Sequence, residues 1–504
     1  MNKNLFFRSF AYRHLQRLPF CGFFRGNAWR EAAEDAEQAF VRRLFLCGIP
    51  VLTLRELDDL VSVELGKGLP VLAVKRSSSK VCGYIGFLEI FKLRYTGVYP
   101  MPRKGMSVYP VSRRTKKFFF DIGRVRESDT KSGITRTTVS LFSAMKNLLP
   151  QGYELRPVYS RQGAFGYFYA DGFHGKYASG EYDSANDMPI DIAPGDIFLS
   201  VITDFEATAV QKNALTAMKN AGVRLFSIIY DLIPLTHGQY CPDSIVEHYQ
   251  QWIQVISGFH GVIADSRSVA EEYRQWRKEH WREKDGDFSI SWFHLGSEVK
   301  KDAGSGGIPG SAEQVFSAMA ARPSFLEVST VEPRKGYAQA LAAFELLWAK
   351  GVDVNFVMVG RPGWKVDGLI KAIEQHPENG RRLFWLKGIS DEYLDKVYEA
   401  AACVLFPSEA EGFGLAVVEG ARHGRPLILR DIPVFREIAG ESAAYFAGKE
   451  PECLAACLET WLRRHAEGKT VSSAGIRPLT WEESAKMLLS RLPLEERGGS
   501  SCPR

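Results

Sequence analysis

The chain has 504 residues and a mass of 56.5 kDa, enough for about three domains at roughly 100–200 residues each. With 45% hydrophobic and 24% charged residues, its composition is globular, which excludes a mainly disordered chain, a fibre and a disulfide-stapled mini-protein. A formal net charge of +5 is too small to argue for nucleic acid on its own.

The eight cysteines form no CxxC pair and no His/Cys cluster at zinc spacing, so a reducing compartment is the economical reading. No apolar run reaches the ~20 residues that span a bilayer. Arg8, Arg13 and Arg17 interrupt any signal-peptide core. The expectation is a cytoplasmic protein, with peripheral contact at the inner face of the cell membrane left open.

That contact is suggested by the first thirty residues. They hold Lys3, Arg8, Arg13, Arg17, Arg25 and Arg30 and no acidic residue, with Phe6, Phe7, Phe10, Phe20, Phe23 and Phe24 interspersed. Such a segment packs on a neighbouring domain with its arginines in water, or meets an anionic membrane surface. Stacking of nucleic acid is a third, minor use of the same residue types; the overall charge lends it no support, and nucleic acid is not an expected partner. Alternating elements after it (helix 28–47, strand 48–53, helix 54–60, strand 70–75) suggest a small α/β unit. Residues 1–110 are therefore read as an N-terminal extension of unknown role. A linker over 101–117 carries Pro102, Gly105 and Pro110.

From there the pattern is doubly wound α/β. A continuously apolar strand over 117–121 reads as buried on both faces. A loop over 123–135 and a helix over 137–149 follow. Further strands fall at 154–159, 196–201, 225–230 and 261–264, with helices at 206–221 and 244–257. A charged, Trp-rich stretch at 271–285 and a Gly/Ser loop at 302–311 lead into a restart. Strands then fit at 324–329, 355–359, 382–386, 402–406 and 426–429, and helices at 337–350, 365–375, 391–400 and 414–423. Two facing Rossmann-like domains are expected, over 111–300 and 312–480, with a C-terminal helix and tail over 481–504. Ligands of such folds sit at the carboxyl ends of the strands.

Two segments carry chemistry. After the strand 402–406 comes Ser408-Glu-Ala-Glu411-Gly412-Phe413-Gly414-Leu415, with Glu419 one helical turn further. The glycines allow close approach to backbone, and the helix start offers unpaired N–H groups to phosphate oxygens. Two carboxylates there suit sugar or ribose hydroxyls, and like charge keeps them from phosphates. After the strand 324–329 comes Thr330-Val-Glu-Pro-Arg334-Lys335-Gly336. Its rigid guanidinium and mobile ammonium can neutralise a diphosphate and the charge that develops on it as it leaves. A GxGxxG dinucleotide turn and a GxxxxGK[ST] loop are both absent. Asp285-Gly-Asp287 reads as a solvated loop rather than a metal site.

These motifs resemble the retaining glycosyltransferases of family 4, which have the GT-B fold of two Rossmann-like domains. Glu411 and Glu419 match that family's Glu-x7-Glu motif, and Arg334 and Lys335 its basic pair. Val359-Gly-Arg-Pro-Gly-Trp364, Trp385-Leu-Lys-Gly-Ile-Ser-Asp391 and Arg430-Asp-Ile-Pro-Val-Phe-Arg-Glu437 also fit. So do Asp121-Ile-Gly-Arg124 with Ser132-Gly-Ile-Thr-Arg136, Tyr230-Asp-Leu-Ile-Pro-Leu-Thr-His237 and Ala264-Asp-Ser266. The resemblance covers about 115–495, and points to enzymes that build bacterial surface polysaccharides.

The resemblance implies that Arg334 and Lys335 bind the donor diphosphate and Glu419 the ribose. Glu411 would contact the transferred sugar, helped by backbone N–H groups from Gly412 through Phe413 and Gly414 to Leu415. Gly133 would approach from the facing domain, Gly360 and Gly388 would line the base pocket, and Asp231 would face the cleft. Many relatives place a histidine where this chain has Tyr230, and His237 is either its replacement or a surface-loop residue. Neither metal nor cofactor is implied. The donor implied is a nucleotide sugar, with GDP-mannose favoured over UDP- or dTDP-sugars, and the acceptor a polysaccharide or lipid-linked oligosaccharide. The alternative is a non-catalytic sugar-binding or scaffold protein. Oligomeric state is open.

Overall fold

The computed structural model describes residues 115–123, 133–161, 164–173, 188–201, 204–281, 288–298 and 307–495. The expected extension over 1–110, the Asp285/Asp287 pair and the tail beyond 495 lie outside the described residues.

The first domain runs β1 (Lys116–Asp121), α1 (Gly133–Met145), β2 (Tyr153–Ser160), β3 (Tyr167–Tyr169), β4 (Ile197–Ser200), α2 (Phe205–Val210) and α3 (Lys212–Asn220). It continues through β5 (Arg224–Ile229), α4 (Ile233–Thr236), α5 (Asp243–Ser257), β6 (Gly261–Ala264), α6 (Arg267–His280) and β7 (Ser289–Trp292). Its sheet has the order β3-β2-β1-β4-β5-β6-β7 and is parallel except for β3, which pairs antiparallel to β2. Phe118, Phe119 and Phe120 of β1 are all fully buried. Phe118 and Phe120 enter the core on one face and Phe119 the core on the other. Helices on both faces thus explain the unbroken apolar run, each ring contributing roughly 2–3 kcal/mol by burial.

The second domain runs α7 (Ala312–Ala321), β8 (Ser324–Val328), α8 (Tyr337–Ala349), β9 (Asn355–Val359), α9 (Asp367–Glu374), β10 (Leu383–Leu386) and α10 (Asp391–Ala400). It continues through β11 (Cys403–Phe406), α11 (Leu415–Arg422), β12 (Leu427–Arg430), α12 (Pro433–Ala439), β13 (Ala444–Phe446) and α13 (Pro451–Ala466). This sheet is wholly parallel, in the order β10-β9-β8-β11-β12-β13. The order in which strands are added reverses between β8 and β11, and in the first domain between β1 and β4. A doubly wound sheet opens its crevice at such a point. The molecule has the two facing Rossmann-like domains of the GT-B fold.

Several expectations are corrected. The loop expected over 123–135 ends earlier, because α1 already starts at Gly133 and finishes at Met145. The single helix expected over 206–221 is two, α2 and α3, broken at Gln211. The buried Gln211 amide donates to the Ala164 carbonyl at 2.8 Å and accepts from the Gly166 N–H at 2.7 Å, so it turns inward where a helix would carry it past. The charged stretch beginning at 271 is largely α6, capped by Ser266, which accepts from the Val269 N–H. Its inward stripe is only Val269, Ala270, Tyr273 and Arg277, which the charged outer face masks. The sequence reading has no counterpart for the short edge strands β3, β7 and β13 or for helices α4, α7, α12 and α13.

The last helix, α14 (Trp481–Leu489), starts with a capping box between Thr480 and Glu483. It crosses back to the first domain, where Trp481, Ala485 and Leu488 share a core with Phe118, Phe120 and Leu141. The Trp481 indole N–H donates to the Glu298 carbonyl at 3.0 Å. The second domain is therefore held to the first at its carboxyl end as well as through the crevice. Among the described residues, no helix is long and apolar enough to cross a membrane.

Candidate active site

The ends of β8 and β11 set the geometry. After β8 the chain makes a 3-10 turn at Pro333–Lys335, and Gly336 then adopts φ 83° before α8 begins. A side chain at Gly336 would run into the Pro407 carbonyl. Only glycine at this left-handed position lets the turn lie against the segment after β11. The result is a cluster of four charged side chains. Lys335 Nζ lies 2.5 Å from Glu411 Oε1, and Arg334 Nη1 lies 3.3 Å from Glu411 Oε2. Arg334 also donates to the Ala410 carbonyl at 2.9 Å and, through Nε, to Glu332 at 3.1 Å.

Burial opposes the charge on Glu411, but Lys335 and Arg334 outweigh it and hold the carboxyl at about 2. Burial and the neighbouring guanidinium draw Lys335 below the usual lysine range. Arg334 is raised despite burial, by Glu411, Glu332 and Asp231.

This cluster lies in a crevice of about 940 Å³ between the domains. Of the residues expected at a site, Gly133, Asp231, Arg334, Lys335, Glu411, Gly412, Phe413, Gly414, Leu415 and Glu419 all line it. Gly412 is a contact point, since a Cβ there would fall 1.6 Å from the Tyr230 carbonyl oxygen of the first domain. Its own carbonyl accepts from Ser266 Oγ at 2.7 Å. Glu419, on α11, pairs with Arg136, on α1, at 2.7 Å and accepts from Tyr398 at 3.5 Å. Asp231 accepts from the Ile233 N–H at 3.0 Å, and burial raises its pKa against the pull of Arg334.

Three expected residues stand off this lining. Gly360 packs its α-carbon onto the Ser329 carbonyl, where a Cβ would fall 1.8 Å away, so its role is to let β9 close on the segment after β8. Gly388 is a turn residue with φ 62° and no heavy atom near its Cβ position. His237 stacks on Tyr240 at 6.3 Å and bonds Thr236 through Nδ1 at 2.9 Å, while burial lowers its pKa. Tyr230 does not replace a cleft histidine with its hydroxyl, which donates to the Val201 carbonyl at 2.8 Å. Glu409 is separate from Glu411, bonding Tyr240 at 2.9 Å and Lys449 at 2.5 Å.

Residues outside the expected set also line the crevice: Arg136, Asp265, Glu332 and Trp364. Asp265 follows β6 as Asp231 follows the neighbouring β5, so both stand at carboxyl ends of parallel strands. That placement was the available signal. Asp265 is 2% exposed, its Oδ1 has no partner among the described residues, and burial beside Asp231 and Glu437 raises its pKa well above normal. Among the described residues, no three His, Cys, Asp or Glu side chains group as metal ligands would.

Residues 315–475, which contain β8 through β13 and the whole charged cluster, match the family described as "Glycosyl transferases group 1". The chain is related to bacterial mannosyltransferases. It is 37% identical over 387 residues to the serotype-specific mannosyltransferase WbdA of Escherichia coli, an alignment covering 76% of this chain and 47% of that one. It is 24% identical over 173 residues to O-antigen chain mannosyltransferase B of Escherichia coli, covering 34% of this chain and 45% of that one. The chain spans about half the length of the curated relatives it matches. Among solved structures it is similar to Anabaena Alr3699/HepE in complex with UDP and glucose, at TM-score 0.47 and 16% identity, over 75% of this chain and 95% of that one.

Proposed function

We propose that this chain is a retaining glycosyltransferase that moves mannose from GDP-mannose to a polysaccharide or lipid-linked oligosaccharide of a bacterial surface glycan. The observation that carries the reading is the convergence of Arg334 and Lys335 with Glu411 at the crevice between two Rossmann-like domains. The mannosyltransferases to which the chain is related support the choice of sugar.

In this reading the donor diphosphate takes up Lys335 and Arg334, and Glu411 turns its oxygens to hydroxyls of the transferred sugar. Glu419 holds the ribose. The amides at the start of α11 face the phosphate oxygens. An acceptor hydroxyl bonds to the anomeric carbon from the face that the diphosphate leaves. The carbon–oxygen bond to the β-phosphate breaks, and the hydroxyl proton passes to the departing phosphate oxygen. Lys335 and Arg334 stabilise the charge that develops there, while the closed domains exclude water. The basic, aromatic first thirty residues, which lie outside the described residues, are proposed to meet the anionic inner face of the membrane.

Calorimetry of GDP, GDP-mannose, UDP and UDP-glucose on the wild type and Lys335→Ala tests this. GDP and GDP-mannose should bind, and the variant should lose at least tenfold in affinity, about 1.4 kcal/mol. Preference for UDP would replace the donor and leave the class. Failure to bind any nucleotide would defeat the transferase reading.

A further inference from the structure

Trp364 is the aromatic among the few large hydrophobic side chains that the described residues leave exposed, at 38%, and it lines the crevice. It stands in the loop between β9 and α9, whose shape is set from both sides. Gly363 donates its N–H to the Val331 carbonyl at 2.8 Å and packs against the Glu332 side chain. Lys365, with φ 56° the non-glycine residue at positive φ among the described residues, sends its ammonium across the crevice. It donates to the Gln239 carbonyl at 3.1 Å and the Cys241 carbonyl at 2.5 Å. A strained residue held by two bonds to the opposite domain anchors the backbone that carries Trp364.

The loop also lies at a definite end of the crevice. It leads into α9, whose Ile373 shares a core with Phe344 on one face of the second sheet. Glu419 rides on α11, whose Val417 packs with Tyr398 on the opposite face. Contacts run from Gly363 to Glu332, from Glu332 to Arg334, and from Arg334 to Glu411. Glu419 instead pairs with Arg136 and Tyr398. With Glu419 at the ribose and Glu411 at the sugar, these contacts tie the Trp364 loop to the Glu411 side of the crevice.

We propose that the Trp364 indole is a stacking platform for a pyranose ring of the acceptor glycan. This rests on the transferase reading given above. The carbon-bound hydrogens on one face of a pyranose form an apolar patch that suits a flat aromatic ring, while the hydroxyls at its rim stay wet. An indole that lines the crevice and is still 38% exposed is fitted to such a surface. Its rigid tether means that little ordering is required when the sugar arrives.

The test uses the full chain as wild type, Trp364→Ala and Trp364→Phe, titrated separately with GDP-mannose and with two probes, an α-linked mannotriose and cellotriose. Trp364→Ala should weaken mannotriose binding about tenfold, and Trp364→Phe should recover most of it. GDP-mannose affinity should stay within twofold in both variants. A loss of GDP-mannose affinity with unchanged glycan binding would place the ring against the base and overturn the proposal. Glycan binding that is equal in all three proteins, or missing from a wild type that binds GDP-mannose, would overturn it as well. A wild type that binds no nucleotide would instead defeat the transferase reading, and this inference with it.

Discussion

Arg136 Nη1 stands 2.7 Å from Glu419 Oε1, joining α1 of the first domain to α11 of the second across the crevice. The same guanidinium reaches the Ser297 carbonyl at 3.4 Å, and Arg422 of α11 reaches that carbonyl at 3.2 Å. Glu419 is therefore shared between a domain contact and its proposed ribose. Residues that work as one unit lose their effects non-additively, with couplings of about 0.5–3 kcal/mol. Arg136→Ala and Glu419→Ala should each weaken GDP binding. In the double variant the loss should fall short of the sum by about 1 kcal/mol, read by calorimetry. Additive losses would show that the pair does not act on the nucleotide together.

Glu411 sits where a diphosphate would have to displace it, its two oxygens on Lys335 and Arg334. The carboxylate competes with phosphate for the same cations, so neutralising it should have opposite effects on binding and on turnover. Glu411→Gln should bind GDP several-fold more tightly, the gain expected from freeing two partly buried cations at about 1 kcal/mol. Transfer should fall by at least a hundredfold if, as proposed, Glu411 is the carboxylate that holds the transferred sugar. Weaker GDP binding in this variant would mean that Glu411 positions the cations for phosphate instead of competing with it.

Glu437 of α12 carries a pH dependence of definite sign. Oε1 accepts from the Arg267 N–H at 2.7 Å and lies 2.8 Å from His294 Nε2, and Oε2 accepts from the N–H and hydroxyl of Ser268, both at 2.7 Å. Burial works against the charge, but the bonds from His294, Ser268 and Arg267 overcome it and hold the carboxyl at about 2, below the ordinary 4.5. A carboxyl depressed by folding stabilises fully above its unfolded pKa and loses that contribution as pH falls through the folded one. The contact between α6 and α12 should thus be complete above about pH 4.5 and fail toward pH 2. Glu437→Gln should lower thermal stability at pH 7 by a few degrees, for a loss on the order of 2 kcal/mol. It should also flatten the stability profile between pH 4.5 and 3. An unchanged slope there would remove Glu437 from the account.

What the sequence made legible follows from periodicity and from strand ends. Phe118, Phe119 and Phe120 announced a strand buried on both faces. Arg334 and Glu411 could be brought together because each follows a strand that a doubly wound order makes adjacent. Arg136 and Trp364 lay inside recognised motifs, yet what they face depends on how two domains meet, and no local spacing encodes that. Helix α14 is amphipathic whichever core receives it, so its return to Phe118 and Leu141 was invisible. The resemblance, not any local spacing, put Gly360 and Gly388 at a base pocket; what the structure adds is that Gly360 lies close against the Ser329 carbonyl and Gly388 is a turn residue at positive φ. His237 offered a titratable ring at the right distance along the chain, but α4 ends at Thr236 and points that ring toward Tyr240.

Two glycines separate what the crevice needs from what the fold tolerates. At Gly412 a Cβ would meet the Tyr230 carbonyl oxygen at 1.6 Å, backbone against backbone, so no rotamer change can relieve it. At Gly368, inside α9, a Cβ would meet nothing within 4 Å. Gly412→Ala must therefore part the domains at the point where Ser266 holds the Gly412 carbonyl, while leaving each sheet and its helices intact. Far-ultraviolet circular dichroism should be unchanged, whereas small-angle scattering should report a larger radius and transfer should be lost. Gly368→Ala should raise stability by about 0.5–1 kcal/mol, because a helical alanine loses less backbone freedom on folding than glycine does, with transfer unaffected. If Gly412→Ala kept both the wild-type radius and its activity, the close approach of the two domains at Tyr230 would not be the conformation in which the protein works.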